Sequence, residues 1–184
     1  LKQQQAKYIK MKGHPYNSLL DDYEDGMTAE KIKPAFEKVK KGIVELLHRI
    51  KSSSRYKNQK PLSLPSVPKE VQLEMCKDVA QRIGLQDEFS RMDLAMHPFT
   101  VHIGNDDVRI TTNVRENPMF SFGSTVHESG HAIYDAQMPK EYVYTPLSNA
   151  PSFGLHESQS RFWENMVGKS KPFWQFYFPK LKQA

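Results

Sequence analysis

The 184-residue sequence has about the length of one domain, and its 38% hydrophobic and 26% charged residues exclude extended disorder. It has no uninterrupted apolar run of about 18 residues and no basic tip followed by an apolar stretch, so it predicts neither a membrane span nor a secretory signal. The formal net charge of +5 comes from the first half of the chain, where lysines alternate with apolar residues as on a solvated helix face, and we expect no nucleic-acid partner. A single cysteine, Cys76, cannot form an internal disulfide, and we expect a cytoplasmic location.

The clearest predicted helix runs from Lys33 to Ile50, because its apolar residues recur every three or four positions. Pro34 fits the first turn of such a helix, which leaves residues 28–32 as a separate turn or a bent entry to the helix. Residues 52–68 are rich in serine and proline and predict an extended connection.

Pro68 can begin a second helix that Gly84 ends. On it, four apolar residues share one face: Val71, Met75, Val79 and Ile83. A short helix is predicted over residues 86–92.

From residue 97 the pattern changes. Two runs rich in β-branched residues, 100–103 and 108–112, flank a Gly-Asn-Asp-Asp turn and predict a hairpin. Asn117 with Pro118 predicts the start of a helix that continues to about Gln137. A further helix over residues 154–167 and an aromatic-rich tail from Pro172 complete a mainly helical fold with a small β-hairpin.

The third long helix contains His127-Glu128-Ser129-Gly130-His131, an H-E-x-x-H motif. Residues i and i+4 lie on one helix face, so His127 and His131 can bind one cation while Glu128 lies beside them. Zinc held in this way lowers the pKa of a bound water, and the carboxylate can take its proton during peptide hydrolysis. The motif therefore predicts a zinc hydrolase with Glu128 as general base.

The third ligand decides between known versions of this site. The metzincin version requires a third histidine where Gln137 stands, so it fails. A glutamate from a later helix is the other common solution, and Glu157 is available for it, with Glu141 and Glu164 as alternatives. Asp135, one turn after His131, is a candidate for orienting that imidazole.

Four motifs together resemble the M32 metallocarboxypeptidases, the family typified by carboxypeptidase Taq. They are residues 97–99 (H-P-F), 107–111 (D-x-R-x-T), 127–131 (H-E-x-G-H) and 156–161 (H-E-S-Q-S-R), and their order and spacing match as well. The resemblance covers nearly the whole chain.

The resemblance implies a mostly helical zincin-type exopeptidase that removes C-terminal residues from peptides, with His127, His131 and Glu157 as ligands of zinc, or of cobalt or another divalent ion. It also implies a homodimer. Arg109, on the expected strand beside the groove, is a candidate substrate-binding residue, and the alternative is a structural ion pair with a neighbouring acid. His97 is a second candidate, on the wall of the groove, and its alternative is a purely structural histidine.

Members of this family are longer than this chain, and two later motifs, including the arginine for the substrate carboxylate, are absent. We therefore expect residues 1–184 to be a central fragment of one catalytic domain, with a helical part over 1–96 and a zinc-site part over 97–184. An oligopeptidase or dipeptidase of the same helical type is the alternative enzyme. A non-catalytic interaction module that docks through its aromatic tail is the alternative outside enzymes.

Overall fold

The computed structural model describes residues 1–60, 66–104 and 106–183, and in this part of the chain helices predominate over a small sheet. The helices are α1 (Lys2–Ile9), α2 (Asn17–Leu20), α3 (Ala29–Ser52), α4 (Ser54–Lys57), α5 (Lys69–Ile83), α6 (Pro118–Ala136), α7 (Phe153–Arg161) and α8 (Lys171–Gln183). The strands are β1 (Ser90–Leu94), β2 (Thr100–Gly104) and β3 (Asp107–Thr112). Short 3₁₀ turns cover Lys140–Tyr142 and Pro146–Ser148, and a π-helical turn covers Phe162–Val167. Among the described helices, none is long and apolar enough to cross a bilayer.

The chain forms two compact units, Leu1–Ser63 and Leu64–Ala184. In the first unit, buried Asn17 joins α2 to the start of α3. Its Oδ1 accepts a hydrogen bond from the Ala29 amide (2.8 Å), and its Nδ2 donates to Glu30 Oε2 (3.0 Å). The hydrogen bond from Asn17 is the main reason that the pKa of Glu30 falls to about 2.

Helix α3 is the predicted amphipathic helix, but its start differs from the prediction. The hydroxyl of Thr28 accepts from the Lys31 amide and begins the helix at Ala29, so Pro34 lies inside it. The separate turn predicted over residues 28–32 is wrong because this cap begins the helix one turn earlier. No residue of α3 is buried in the described structure, and Phe36 is 69% exposed.

The connection predicted over residues 52–68 is helical in part, since Ser53 caps the short helix α4 with a bond to the Tyr56 amide (3.2 Å). Within that stretch, residues 61–65 lie outside the described residues. Residues 66–68 belong to no helix or strand.

The second unit is built around α6, which packs on α5, on the sheet and on α7. Helix α5 matches the prediction and ends at Gly84, whose φ of +125° is a conformation that favours glycine. Three of the four apolar residues predicted to share a face of α5 belong to one core cluster, in which Val79 is fully buried and Met75 and Ile83 pack against it.

The sheet has the order β1-β3-β2, with β2 and β3 antiparallel as the hairpin predicts. The short helix predicted over residues 86–92 is wrong, because Ser90–Leu94 forms β1 and pairs in parallel with β3. Backbone hydrogen bonds to β3 outweigh the weak local preference of this segment for helix.

Two apolar clusters cover α6. One joins α5 to the sheet through Ala80, Leu85, Val108, Ile110 and Ala132. The other contains Val79, Phe122, Val126 and Tyr177, with Phe173 and Trp174 packed against them. Complete burial of one such valine or isoleucine stabilises the fold by about 1.5–3 kcal/mol. The aromatic tail predicted from Pro172 lies in helix α8, and three of its five aromatic side chains belong to or pack against the second cluster.

Candidate metal centre

Helix α6 holds both histidines of the motif on one face. Asn117 caps it, because its side-chain oxygen accepts from the Met119 amide at 2.9 Å, and Pro118 occupies the first turn. The imidazole rings of His127 and His131 lie 5.1 Å apart, centroid to centroid, at an interplanar angle of 79°. The i, i+4 spacing therefore directs both rings into one groove.

Helix α7 brings Glu157 to these two rings. Its Oε2 lies 3.2 Å from His131 Nε2 and 3.6 Å from His127 Nε2. One potential ligand atom from each of the three residues lies within 4.8 Å of the others. Two imidazole nitrogens and a carboxylate that converge in this way are the His₂Glu donor set of zinc enzymes, so the residues fit a divalent ion.

The outer nitrogen of His127 contacts Glu164, which lies in the π-helical turn after α7. Its Nδ1 is 2.9 Å from Glu164 Oε2, which suits Nδ1–H as donor and leaves the Nε2 lone pair towards the groove. Burial alone would raise the pKa of Glu164, but hydrogen bonds from Lys169 and His127 outweigh it, and the pKa is lowered. Glu164 therefore supports a ligand from outside the donor set. Glu141 is exposed in a 3₁₀ turn and is not part of the donor group.

Asp135 has a different role from the predicted one. Its Oδ1 pairs with His156 Nε2 at 2.9 Å and not with His131. The His156 ring in turn stacks on His131, with centroids 4.4 Å apart and planes 18° apart. The prediction that Asp135 orients the imidazole of His131 by a direct bond is thus wrong, because Asp135 bonds His156 of α7 instead.

His131 is the more enclosed histidine. Burial is the main cause that lowers its pKa to about 4, so its ring is neutral at physiological pH, as a metal ligand must be. Its buried Nδ1 has no hydrogen-bond partner among the described residues.

Glu157 is held on α7 by its neighbours. Arg161 Nε donates to its Oε1 at 2.7 Å, and Ser160 Oγ donates to its Oε2 at 3.1 Å. Burial alone would raise the pKa of Glu157, but these hydrogen bonds outweigh it, and the pKa is lowered. The carboxylate is therefore charged near neutral pH.

Glu128 lies beside the donor set and is only 7% exposed. Thr100 of β2 donates to its Oε2 at 2.7 Å and thereby links the sheet to α6. Burial raises the pKa of Glu128, and the hydrogen bond from Thr100 offsets part of that rise. A carboxylate whose pKa is shifted towards neutral is suited to accept and return a proton.

The groove in front of Glu128 has a volume of about 370 Å³. His97 and Arg161 line it together with His127 and Glu128. Arg109 instead forms a bidentate ion pair with Asp107 on the same strand, at 2.7 and 2.8 Å, which is the structural pairing considered as its alternative. The structure thus brings His97 to the groove and pairs Arg109 with its neighbour.

Sequence reasoning missed several supporting residues: Thr100, Ser160, Arg161 and the pair of Asp135 with His156. Ser160 and Arg161 are local to Glu157, three and four residues later on α7, and the spacing of four predicts a helical ion pair. Thr100 and the pair of Asp135 with His156 depend on contacts between elements.

An H-E-x-x-H helix with a glutamate from a following helix is the donor arrangement of a class of helical metallopeptidases, and the fold and donor set place this chain in that class. The sequence model of the carboxypeptidase Taq (M32) metallopeptidase family matches residues 1–184. The chain belongs to this family.

Curated relatives agree with this assignment. Thermostable carboxypeptidase 1 of Thermus thermophilus is 42% identical over 174 residues, which are 94% of this chain and 34% of that protein. Thermostable carboxypeptidase 1 of Pyrococcus furiosus is 36% identical over 180 residues, which are 97% of this chain and 36% of that protein. The chain thus spans about a third of the length of these relatives.

Solved structures show the same fold. A Pyrococcus furiosus carboxypeptidase superposes with a TM-score of 0.89 at 35% identity, over 99% of this chain and 37% of that one. Metallocarboxypeptidase 1 of Trypanosoma cruzi superposes with a TM-score of 0.88 at 30% identity, over 98% of this chain and 37% of that one.

Proposed function

We propose that the protein is a zinc-dependent metallocarboxypeptidase that removes C-terminal residues from peptides. The observation that carries the proposal is the convergence of His127, His131 and Glu157, with ligand atoms within 4.8 Å of one another, beside buried Glu128. The family and the names of its relatives support the peptide substrate and the C-terminal site of cleavage. On this proposal, residues 1–184 form a central part of one catalytic domain.

The three ligands would hold zinc, with cobalt or another divalent ion as an alternative. When bound, such an ion supplies Lewis acidity that activates water and polarises the scissile carbonyl. The hydrogen bond that His127 donates to Glu164 and the stacking of His156 on His131 orient the two rings for this purpose. Both contacts hold the donor nitrogens towards the same point.

Glu128 acts as the general base in this proposal. Thr100 occupies its Oε2, which leaves Oε1 to take the proton from the attacking water and to pass it to the leaving amine. Burial raises the basicity of the carboxylate, and burial together with the hydroxyl of Thr100 restricts its orientation.

Substrate binding would use the groove that His97 and Arg161 line. Selection for a C-terminus also requires a cation that pairs with the substrate carboxylate. Arg161 already binds Glu157 and Glu164, and Arg109 binds Asp107, so neither is free for this role. From the resemblance to the family, whose arginine for this carboxylate belongs to a later motif, we expect that cation outside the residues of this chain.

The test uses the protein at the full length that its gene encodes. We expect about one zinc-class ion per chain by elemental analysis. Glu128→Gln should retain the ion, but its rate of peptide cleavage should fall at least a hundredfold, because the general base has been removed. Glu141→Gln, an exposed and unrelated carboxylate, is the control and should keep both properties.

Two results would contradict the proposal. A folded protein without a metal ion would favour the interaction module, and cleavage that survives Glu128→Gln would remove Glu128 from the mechanism. A comparison of peptides with free and amidated C-termini separates a carboxypeptidase, which requires the free form, from an oligopeptidase. The homodimer and the cytoplasmic location remain predictions.

A further inference from the structure

Helices α6 and α7 approach each other closely at Gly130, the residue before the second histidine. A Cβ atom added to Gly130 would lie 2.7 Å from Ser160 Cα, 2.9 Å from Gln159 O and 3.1 Å from Ser160 N. All three atoms belong to the backbone of α7, so no side-chain rotation can relieve the contact. Any larger residue must push α7 away or distort α6.

The backbone atoms in this contact lie one helical turn after Glu157, the third residue of the donor set. Ser160 is one turn after Glu157, and the one proton of its hydroxyl is shared between the carbonyl oxygen (2.8 Å) and Oε2 (3.1 Å) of Glu157. On the other side, Gly130 is adjacent to His131, whose Nε2 lies 3.2 Å from the same Oε2. The spacing of the helices at Gly130 therefore sets the distance between Glu157 and the two histidines.

We propose that Gly130 is a positioning residue of the metal centre: the absence of its side chain lets α7 approach α6 closely enough for Glu157 to complete the donor set. The inference rests on the proposed metal site. The expected displacement of α7 can be compared with the tolerance of metal–ligand distances. Ordinary Cβ contacts begin at 3.4 Å, so alanine at this position displaces α7 by about 0.7 Å, whereas metal–ligand distances tolerate only about 0.2 Å.

Helix α6 offers a matched control. Gly123 lies two turns earlier on the same helix, and a Cβ added there would meet nothing within 4 Å. Both Gly130→Ala and Gly123→Ala replace a helical glycine by the better helix former, so intrinsic propensity changes equally in the two variants. Only Gly130→Ala changes the spacing of the helices.

The experiment measures zinc affinity of the full-length protein by competition with a chromophoric chelator. Circular dichroism and thermal unfolding of the metal-free protein report on the fold. We expect Gly130→Ala to weaken zinc binding more than tenfold and Gly123→Ala to leave it within twofold. Because Gly130 acts through Glu157, Gly130→Ala should add little further loss when Glu157→Ala is already present.

Three outcomes would overturn the inference: zinc affinity of Gly130→Ala within twofold of the parent, an equal loss in Gly123→Ala, or full additivity with Glu157→Ala. A parent protein that binds no zinc would instead refute the proposed function. If Gly130→Ala does not fold, Glu157→Asp tests the same spacing. Its side chain is one methylene shorter, and α7 cannot advance because its backbone already contacts Gly130. We then expect a loss above tenfold, and an affinity within twofold would overturn the inference.

Discussion

The contact between His127 and Glu164 makes a quantitative prediction about metal affinity. Glu164 Oε2 lies 2.9 Å from His127 Nδ1, and its side chain is 20% exposed. Removal of such an outer partner of a metal-binding histidine costs about 10- to 100-fold in affinity, or about 1.4–2.7 kcal/mol. Because Glu164 is partly exposed and water can replace it, we expect Glu164→Ala to weaken zinc binding by about 10- to 30-fold.

The conservative variant separates charge from hydrogen bonding. Glu164→Gln keeps an acceptor oxygen for His127 Nδ1–H but removes the negative charge, so we expect a loss of only a few-fold. Glu141→Ala is the control, because Glu141 is the other carboxylate that the sequence offered as an alternative ligand. It is exposed in its 3₁₀ turn, and the variant should bind zinc as the parent does.

The assay is titration of the metal-free, full-length protein with zinc against a chromophoric chelator, with unfolding curves to verify the fold. An unchanged affinity in Glu164→Ala would refute the reasoning, since His127 would then need no partner. An equal loss in Glu141→Ala would also refute it, because both alternatives would then contribute to the site.

Three further predictions concern stability and pH. Asn17→Ala removes a buried amide that donates to Glu30, and it should lower the free energy of unfolding of the first unit by about 2–3 kcal/mol, measured in urea. A change below about 0.5 kcal/mol would show that water replaces these hydrogen bonds. Tyr177→Phe removes the hydroxyl that donates to Asp78 at 3.0 Å, and it should lower the free energy of unfolding of the second unit by about 1.5–3 kcal/mol. An unchanged free energy of unfolding would show that this hydrogen bond does not stabilise the unit. For His131, burial lowers the pKa from 6.5 to about 4, so the unfolded chain takes up a proton before the native chain does. The metal-free protein should therefore lose stability as pH falls from about 6.5 to 4. In denaturant unfolding, the stability of His131→Gln should depend less steeply on pH than that of the parent. An equal pH dependence would exclude His131 as the cause of the loss.

Much of the secondary structure around the site followed from local patterns. The start of helix α6 could be predicted because its cap at Asn117 and its proline at the next position act within the first turn. The same locality explains why the i, i+4 pair of His127 and His131 was recognisable. The hairpin of β2 and β3 was also predictable, since its two strands are neighbours in sequence.

Failures occurred where a distant partner decided the outcome. Residues 90–94 form a strand because their backbone pairs with β3, which begins more than ten residues later. Local preference alone favoured a helix there. The extent of α3 differed for another reason, since a single cap at Thr28 determined it.

The sequence by itself determined the family, the main helices and the candidate ligands His127 and His131, because these depend on residue type and on spacing along the chain. For the third ligand it offered Glu157, with Glu141 and Glu164 as alternatives. Only the tertiary structure decided how the site is supported. Glu164 contacts His127 across 37 residues, and Thr100 contacts Glu128 across 28, so neither contact leaves a periodic trace in the sequence. The spacing of α6 and α7 at Gly130 is likewise a property of two packed backbones, which residue spacing along one chain cannot reveal.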